Sequence, residues 1–102
     1  MNFEELKTVV YSLPNVVEKP HFDRVSFSSA KRIFATYHQP SNSANLKLSD
    51  VDQDVYSVIC KGMVYPVPNK WGIQGWTTFE LTNIPEDIFL EALNQAYQDS
   101  LI

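Results

Sequence analysis

"KRIFATYHQPSNSANLKLS", Lys31 to Ser49, is the stretch that decides the fold. Its opening, KRIFATYH, is rich in β-branched and aromatic residues and predicts a strand over Lys31 to His38. Simple alternation puts Ile33, Ala35 and Tyr37 on one face, with Arg32, Phe34, Thr36 and His38 on the other. QPSNS is a cluster of turn formers. ANLKLS then returns as another strand, with Leu46 and Leu48 inward and Lys47 outward. Two strands joined by so short a turn must pair antiparallel.

Working outward, Arg24 to Ser28 reads as a short strand with Val25 and Phe27 on one side, joined to the next by Ser28-Ser29-Ala30. The preceding Asn15 to Asp23, with Pro20 inside it, reads as a connector running into an extended segment. Downstream, MVYPVP is a strand with an internal proline, which reads as an edge strand or one that ends in a kink. WTTFEL, Trp76 to Leu81, alternates cleanly and is a further strand.

Three helices complete the chain. Asn2 and Glu5 resemble a capping box ahead of Phe3, Leu6, Val9, Val10 and Leu13, predicting a helix over 3–12 that Pro14 ends. Ser49 is an N-cap candidate, and Asp50, Asp52 and Asp54 suit the positive end of a helix. Val51, Val55, Val58 and Ile59 recur at helical spacing, so a helix over 50–61 is expected to bury that stripe, and Gly62 suits its end. Pro85, followed by Glu86 and Asp87, opens a last helix whose face is Phe89, Leu93, Ala96, Tyr97 and Leu101. The order α-β-β-β-α-β-β-α predicts an α+β two-layer sandwich, an antiparallel sheet of about five strands with helices on one face. At 102 residues, with no repeat or linker, residues 1–102 are read as one domain.

Composition excludes several classes. No apolar run reaches the roughly 18 residues a membrane span needs. MNFEELKTVV is acidic and has no basic leader followed by an apolar run, so no signal peptide is read. The single cysteine, Cys60, fits a reducing compartment, and the cytoplasm is expected. Net charge is −4, but it is unevenly spread. Residues 1–18 carry −2, residues 19–79 carry +3 and residues 80–102 carry −5. A basic face in the middle of the chain is therefore open.

The motifs point away from chemistry. GIQG, Gly72 to Gly75, spells the GxxG with which some domains clamp a nucleic-acid backbone, but it lies between strands and its variable positions are uncharged. It reads as a strand-to-strand reversal in which glycine supplies positive φ. Trp76, at the start of a strand, is expected in the core, and Trp71, beside Lys70, part-exposed. DVDQD imitates a calcium loop, but that pattern needs Gly and Glu where Val55 and Lys61 stand. Cys60 reads as a small core residue beside the apolar stripe of the second helix. His21 and His38 lack metal-ligand spacing. HFDR, His21 to Arg24, reads as surface ion pairing at a strand entrance. With no nucleophile elbow, phosphate loop or paired carboxylates, no catalytic residue, metal or cofactor is assigned, and a non-enzymatic protein is expected.

EKPHFDRVSF, RIFATY, ANLKLS, YPVPNKWGIQGWTTFEL and LEALNQAY, in this order, resemble the MmcQ/YjbR family of small bacterial proteins. The likeness spans essentially the whole chain, and NKWGxxGW is its most specific part. It implies a fold akin to the frataxin-like and secretion-chaperone-like sandwiches, and a proposed double-wing DNA-binding arrangement. Where family members carry basic residues after the first-strand Phe and within the glycine turn, this chain has Ser28 and Gln74. Two expectations follow. One is a DNA-binding module in which Arg24, Lys31, Arg32, Lys47 and Lys70 contact phosphates and Trp71 stacks. The other is an adaptor or chaperone-like domain that binds a protein or small ligand on the open sheet face or beside Trp71, with no nucleic-acid affinity. In either case a monomer with no membrane contact is expected.

Overall fold

The computed structural model describes residues 1–102. Helix α1 (Phe3–Val10) opens under the expected capping box: Asn2 accepts from the Glu5 backbone N–H at 2.9 Å, and Glu5 accepts from that of Asn2 at 3.2 Å. Strands β1 (Val17–His21), β2 (Arg24–Ser28), β3 (Ile33–His38) and β4 (Ser43–Lys47) follow as successive hairpins. Helix α2 (Asp50–Ile59) starts at Ser49, whose hydroxyl accepts from the Asp52 N–H. Strand β5 (Val64–Pro66), a one-turn helix α3 (Lys70–Ile73), strand β6 (Trp76–Glu80) and helix α4 (Glu86–Ser100) complete the chain.

The sheet has six strands in the order β1-β2-β3-β4-β6-β5, every pair antiparallel. The added strand is β1, from the stretch read as a connector. It pairs with β2 from Val17↔Ser28 to His21↔Arg24, and as an edge strand it tolerates Pro20. Pro66 likewise sits in the opposite edge strand, β5.

The core lies between one sheet face and the helices. Phe27, Ala35, Tyr37, Ala44, Leu46, Phe79 and Val64 point into it and meet Leu6 and Val10 of α1 and Phe89, Ala92, Leu93, Ala96 and Tyr97 of α4. Phe3 stacks on Tyr37 at 4.6 Å between ring centroids, while Phe34 meets Tyr97 and Phe79 meets Phe89 edge-on at 5.4 and 5.6 Å.

Three expectations need correction here. First, Phe27 pairs with Ala35 but Ser28 pairs with Ile33, so β3 carries a bulge at Phe34. The extra residue breaks alternation: Phe34 is fully buried and Ile33 turns to the other face. Second, GIQG is not a direct reversal, because Gly72 lies in a helical turn and only Gly75 has positive φ, +108°. A Cβ on Gly72 would stand 2.0 Å from the Val67 carbonyl oxygen, and one on Gly75 would stand 2.1 Å from that of Leu48. Both glycines therefore permit close backbone approach.

Third, α2 turns its apolar stripe outward. Val51, Val55, Val58 and Ile59 are 70, 44, 77 and 57% exposed, whereas Gln53 and Tyr56 are buried. Cys60 is buried too, but on the side of Tyr56 and away from the stripe. The reason is what lies inside. Gln53 Nε2 donates to the carbonyls of Gly72 and Trp76 and to Thr77 Oγ1 at 3.0, 3.3 and 3.0 Å. Those buried acceptors hold a polar side chain, so α2 is rotated to present one.

Candidate functional site

No helix covers the second face of the sheet. Cross-strand pairing lines up its side chains in rows: Lys19, Ser26, Thr36, Asn45, Thr78 and Tyr65 form one, and His21, Arg24, His38, Ser43 and Glu80 another. A third ends in Lys47 and Trp76, which pair directly. The face is polar with aromatic groups at one end.

A cleft of about 440 Å³ crosses this face, lined by His21, Arg24, Ile33, Thr36, Asn45, Val67, Trp71 and Trp76. Its floor comes from strands β1, β2, β3, β4 and β6, and its far wall from the β5–α3 segment. The wall is fixed in place by close packing. Asn69, at φ +74°, accepts from the Trp71 N–H at 3.0 Å and starts α3. Gly72 sits under the Val67 carbonyl, and Gln53 grips the Gly72 and Trp76 carbonyls from beneath. Trp71 is thereby held over the sheet with 49% of its surface exposed, and Lys70 Nζ lies 5.8 Å from its ring centroid. Trp76 is half-buried in the cleft floor and outside the core, a correction that follows from Lys47↔Trp76 pairing on the open face.

The cleft's polar groups are oriented. Arg24 Nη1 donates to Thr36 Oγ1 at 3.3 Å, which lays the guanidinium across the strands. Asn45 Oδ1 accepts from the Thr78 hydroxyl at 2.8 Å, so its NH₂ is the group presented to the cleft. A second hollow of about 240 Å³ adjoins it, sharing Ile33 and Trp76, and adds Arg32, Lys47, Leu48, Ser49 and Asp99 to the lining.

No carboxylate lines the larger cleft, and Asp99 alone lines the smaller. Nine of the twelve Asp and Glu residues lie on α1, α2 and α4. Of the lysines and arginines, Lys7 alone meets a carboxylate, Glu4 at 3.9 Å. Glu80 stands at the opposite end of β6 from Trp76 and accepts from the Tyr65 hydroxyl at 2.6 Å, a bond that raises the phenol's pKa. Acidic helices thus back a sheet face whose lysines and arginines pair with no side-chain carboxylate, although Arg32 Nη2 donates to the Ile102 backbone oxygen at 2.5 Å and shares its hollow with Asp99.

Of the residues singled out in the sequence, Arg24 and Trp71 meet in the cleft, Arg32 and Lys47 meet in the adjoining hollow, and Lys70 stands at the rim. Lys31 lies in the β2–β3 turn and lines neither. His21, Asn45, Trp76 and the supporting Gln53 belong to the site although none of them reads as a binding residue in the sequence. The row positions of His21 and Asn45 follow from strand register, and a lone glutamine in an amphipathic helix was the one available sign of Gln53.

No ion pair forms within HFDR; Asp23 instead turns to a histidine of another strand. Asp23 Oδ2 meets His38 Nε2 at 2.8 Å, and His38 Nδ1 meets Ser41 Oγ at 2.6 Å, itself 2.7 Å from Ser43 Oγ. The hydrogen bond from His38 holds the Asp23 carboxyl below its ordinary range. These residue types match a hydrolytic triad, yet Asp23 is 61% exposed and lacks the burial that lets such a carboxylate support an imidazolium. The chain of bonds ties the β1–β2 turn to the β3–β4 turn. Burial raises the Cys60 thiol, leaving it a poor nucleophile. No group of three or more His, Cys, Asp or Glu side chains is placed to hold a metal ion. No helix is long and apolar enough to cross a membrane.

The family model described as YjbR matches residues 11–99. None of the curated proteins matches the chain. Among solved structures, the crystal structure of Deinococcus radiodurans protein DR2400, described by a DUF419 domain, superposes with a TM-score of 0.83 at 18% identity. The match covers 94% of this chain and 75% of that one. At that identity the likeness speaks for the fold.

Proposed function

The chain belongs to the YjbR family, and from that premise we propose that it is a small non-enzymatic binding module whose open sheet face takes up DNA. The observation that carries this is the cleft in which Arg24, His21, Trp71 and Trp76 converge with no carboxylate among the lining residues. A guanidinium and two indoles suit a ligand that is both anionic and planar. An uncovered sheet with an aromatic rim suits single strands best, since unpaired bases can lie flat on it. Trp71 stacks a base, Asn45 meets its edge, and Arg24, Arg32 and Lys47 neutralise successive phosphates. Lys70 reinforces the rim, and Lys31 is peripheral. The lone buried cysteine is compatible with a reducing compartment, and the cytoplasm is part of this proposal.

Fluorescence anisotropy with a labelled single-stranded oligonucleotide tests the reading. Binding weakens with salt at a log–log slope of about −0.7 for each phosphate neutralised, so three cations give a slope of about −2. Trp71→Ala loses about 1–3 kcal/mol of binding, the scale of one base stack. No binding by micromolar protein at low salt would sink the proposal.

A second reading rests on the net charge of −4 and on Lys31 standing apart. In it the same cleft receives an anionic group of a protein or small ligand. It expects no salt-dependent DNA binding and a pull-down partner that Trp71→Ala loses.

A further inference from the structure

The floor of the cleft presents hydrogen-bond donors. Thr36 and Asn45 pair directly across β3 and β4, and both line it. A side-chain amide ordinarily offers an acceptor and a donor side by side. In Asn45 the two are divided, because Oδ1 accepts from the Thr78 hydroxyl at 2.8 Å and the NH₂ is left for a ligand. At Thr36 the hydroxyl oxygen accepts from Arg24 Nη1 at 3.3 Å, so its own proton is the group left over. Amide and hydroxyl therefore stand on neighbouring strands as two donors, with Cβ atoms roughly 5 Å apart. Arg24 adds only N–H groups, no carboxylate lines the cleft, and His21 stands in the outer row on the edge strand β1.

Such a floor selects among planar ligands, since a base lying on a sheet is read at its edge. Guanine's O6–N7 edge carries two adjacent acceptors and no donor, whereas adenine's N6–N7 edge sets a donor beside an acceptor. The polar edge of cytosine includes the N4 amino group and that of thymine the N3 imide, and each lays a donor against donors. An asparagine with both ends free reads adenine through two bonds. Here the Thr78 hydroxyl occupies the oxygen that would accept from N6. A purine also covers more of the Trp71 indole than a single-ring base does.

We propose that the cleft is a guanine-nucleotide site. Asn45 and Thr36 donate to O6 and N7, Trp71 covers the base and Arg24 takes the attached phosphate. Thr78 is the positioning residue that sets the preference. A cleft of about 440 Å³ has the size of a small-ligand pocket, so the same chemistry admits a guanine within a single strand or a free guanine mononucleotide. The inference rests on reading this face as one that binds nucleotides, and adds which base it holds.

Two arms test it on the full chain. In the first, fluorescence anisotropy follows labelled single-stranded thymine runs in which one central base is varied. Guanine there binds at least about fivefold more tightly than adenine, cytosine or thymine, the lower end of what one good two-bond contact contributes. Hypoxanthine, which keeps O6 and N7, matches guanine, and 7-deazaguanine, which lacks N7, loses the advantage. In the second arm, tryptophan fluorescence follows titration with guanosine or adenosine monophosphate. Thr78→Val, with unchanged far-ultraviolet circular dichroism, frees the Asn45 oxygen and narrows or reverses the ratio of guanine to adenine affinity, which a merely structural role would not move. Preference for guanosine monophosphate with no oligonucleotide bound supports the guanine site and overturns the DNA reading. Oligonucleotide binding without base preference does the opposite. A 7-deazaguanine as good as guanine, or a ratio that Thr78→Val leaves unchanged, also overturns the guanine site. No binding in either arm removes both.

Discussion

Helices α4 and α2 carry the same kind of apolar stripe and turn it in opposite directions. In α4, Phe89, Ala92, Leu93, Ala96 and Tyr97 lie against strands β3 and β4 in the middle of the sheet and are buried. In α2 the stripe faces solvent, and Gln53, Tyr56 and Cys60 face the molecule. The two helices differ in what lies beneath them. Central strands present a broad apolar surface, and any apolar stripe laid across it gains by burial. At the margin, α2 meets the short strand β5 and the carbonyls of a bent α3–β6 segment. A hydrogen-bond donor is worth more there than another valine.

Three substitutions probe the contrast. The largest effect is expected for Phe89→Ala, which empties a fully buried ring site on α4 and should cost about 3–5 kcal/mol in urea denaturation. A loss below about 1 kcal/mol would mean that α4 is not the main cover of the sheet. Gln53→Ala comes next: it removes three donated bonds beneath the cleft and should cost about 1–3 kcal/mol. Because those bonds hold α3 and the start of β6, tryptophan fluorescence should shift as well; an unchanged spectrum would uncouple α2 from the cleft. Smallest is Val58→Ser, which should move monomer stability by less than about 0.5 kcal/mol, since its side chain is exposed. A large loss from that substitution would put the valine stripe back in the core and remove the contrast.

Legibility followed the same line. The capping box at Asn2 and Glu5, the Ser49 cap, the edge placement of the proline-bearing strand and the face of α4 could each be read from local chemistry, and each is present. The strand at Val17–His21 was not legible, because exposed edge positions carry no alternating apolar signal. Ile33 and Phe34 exchanged faces because a bulge is set by pairing with β2, which a single strand's sequence does not display. Arg24 and Trp71 were picked out by residue type. Their meeting in one cleft, 47 residues apart in sequence, depends on strand order.

What the sequence determined by itself was the three long helices with the capped starts of two, five of the six strands and the antiparallel layering, since caps, turns and periodicity act over a few neighbouring residues. Tertiary structure alone decided which side of α2 turns inward, where the indoles stand and which cations share a hollow. Periodicity states that a helix has two unlike sides. Which one is buried depends on the groups that the rest of the chain brings against it, and at the edge of this sheet those groups were polar.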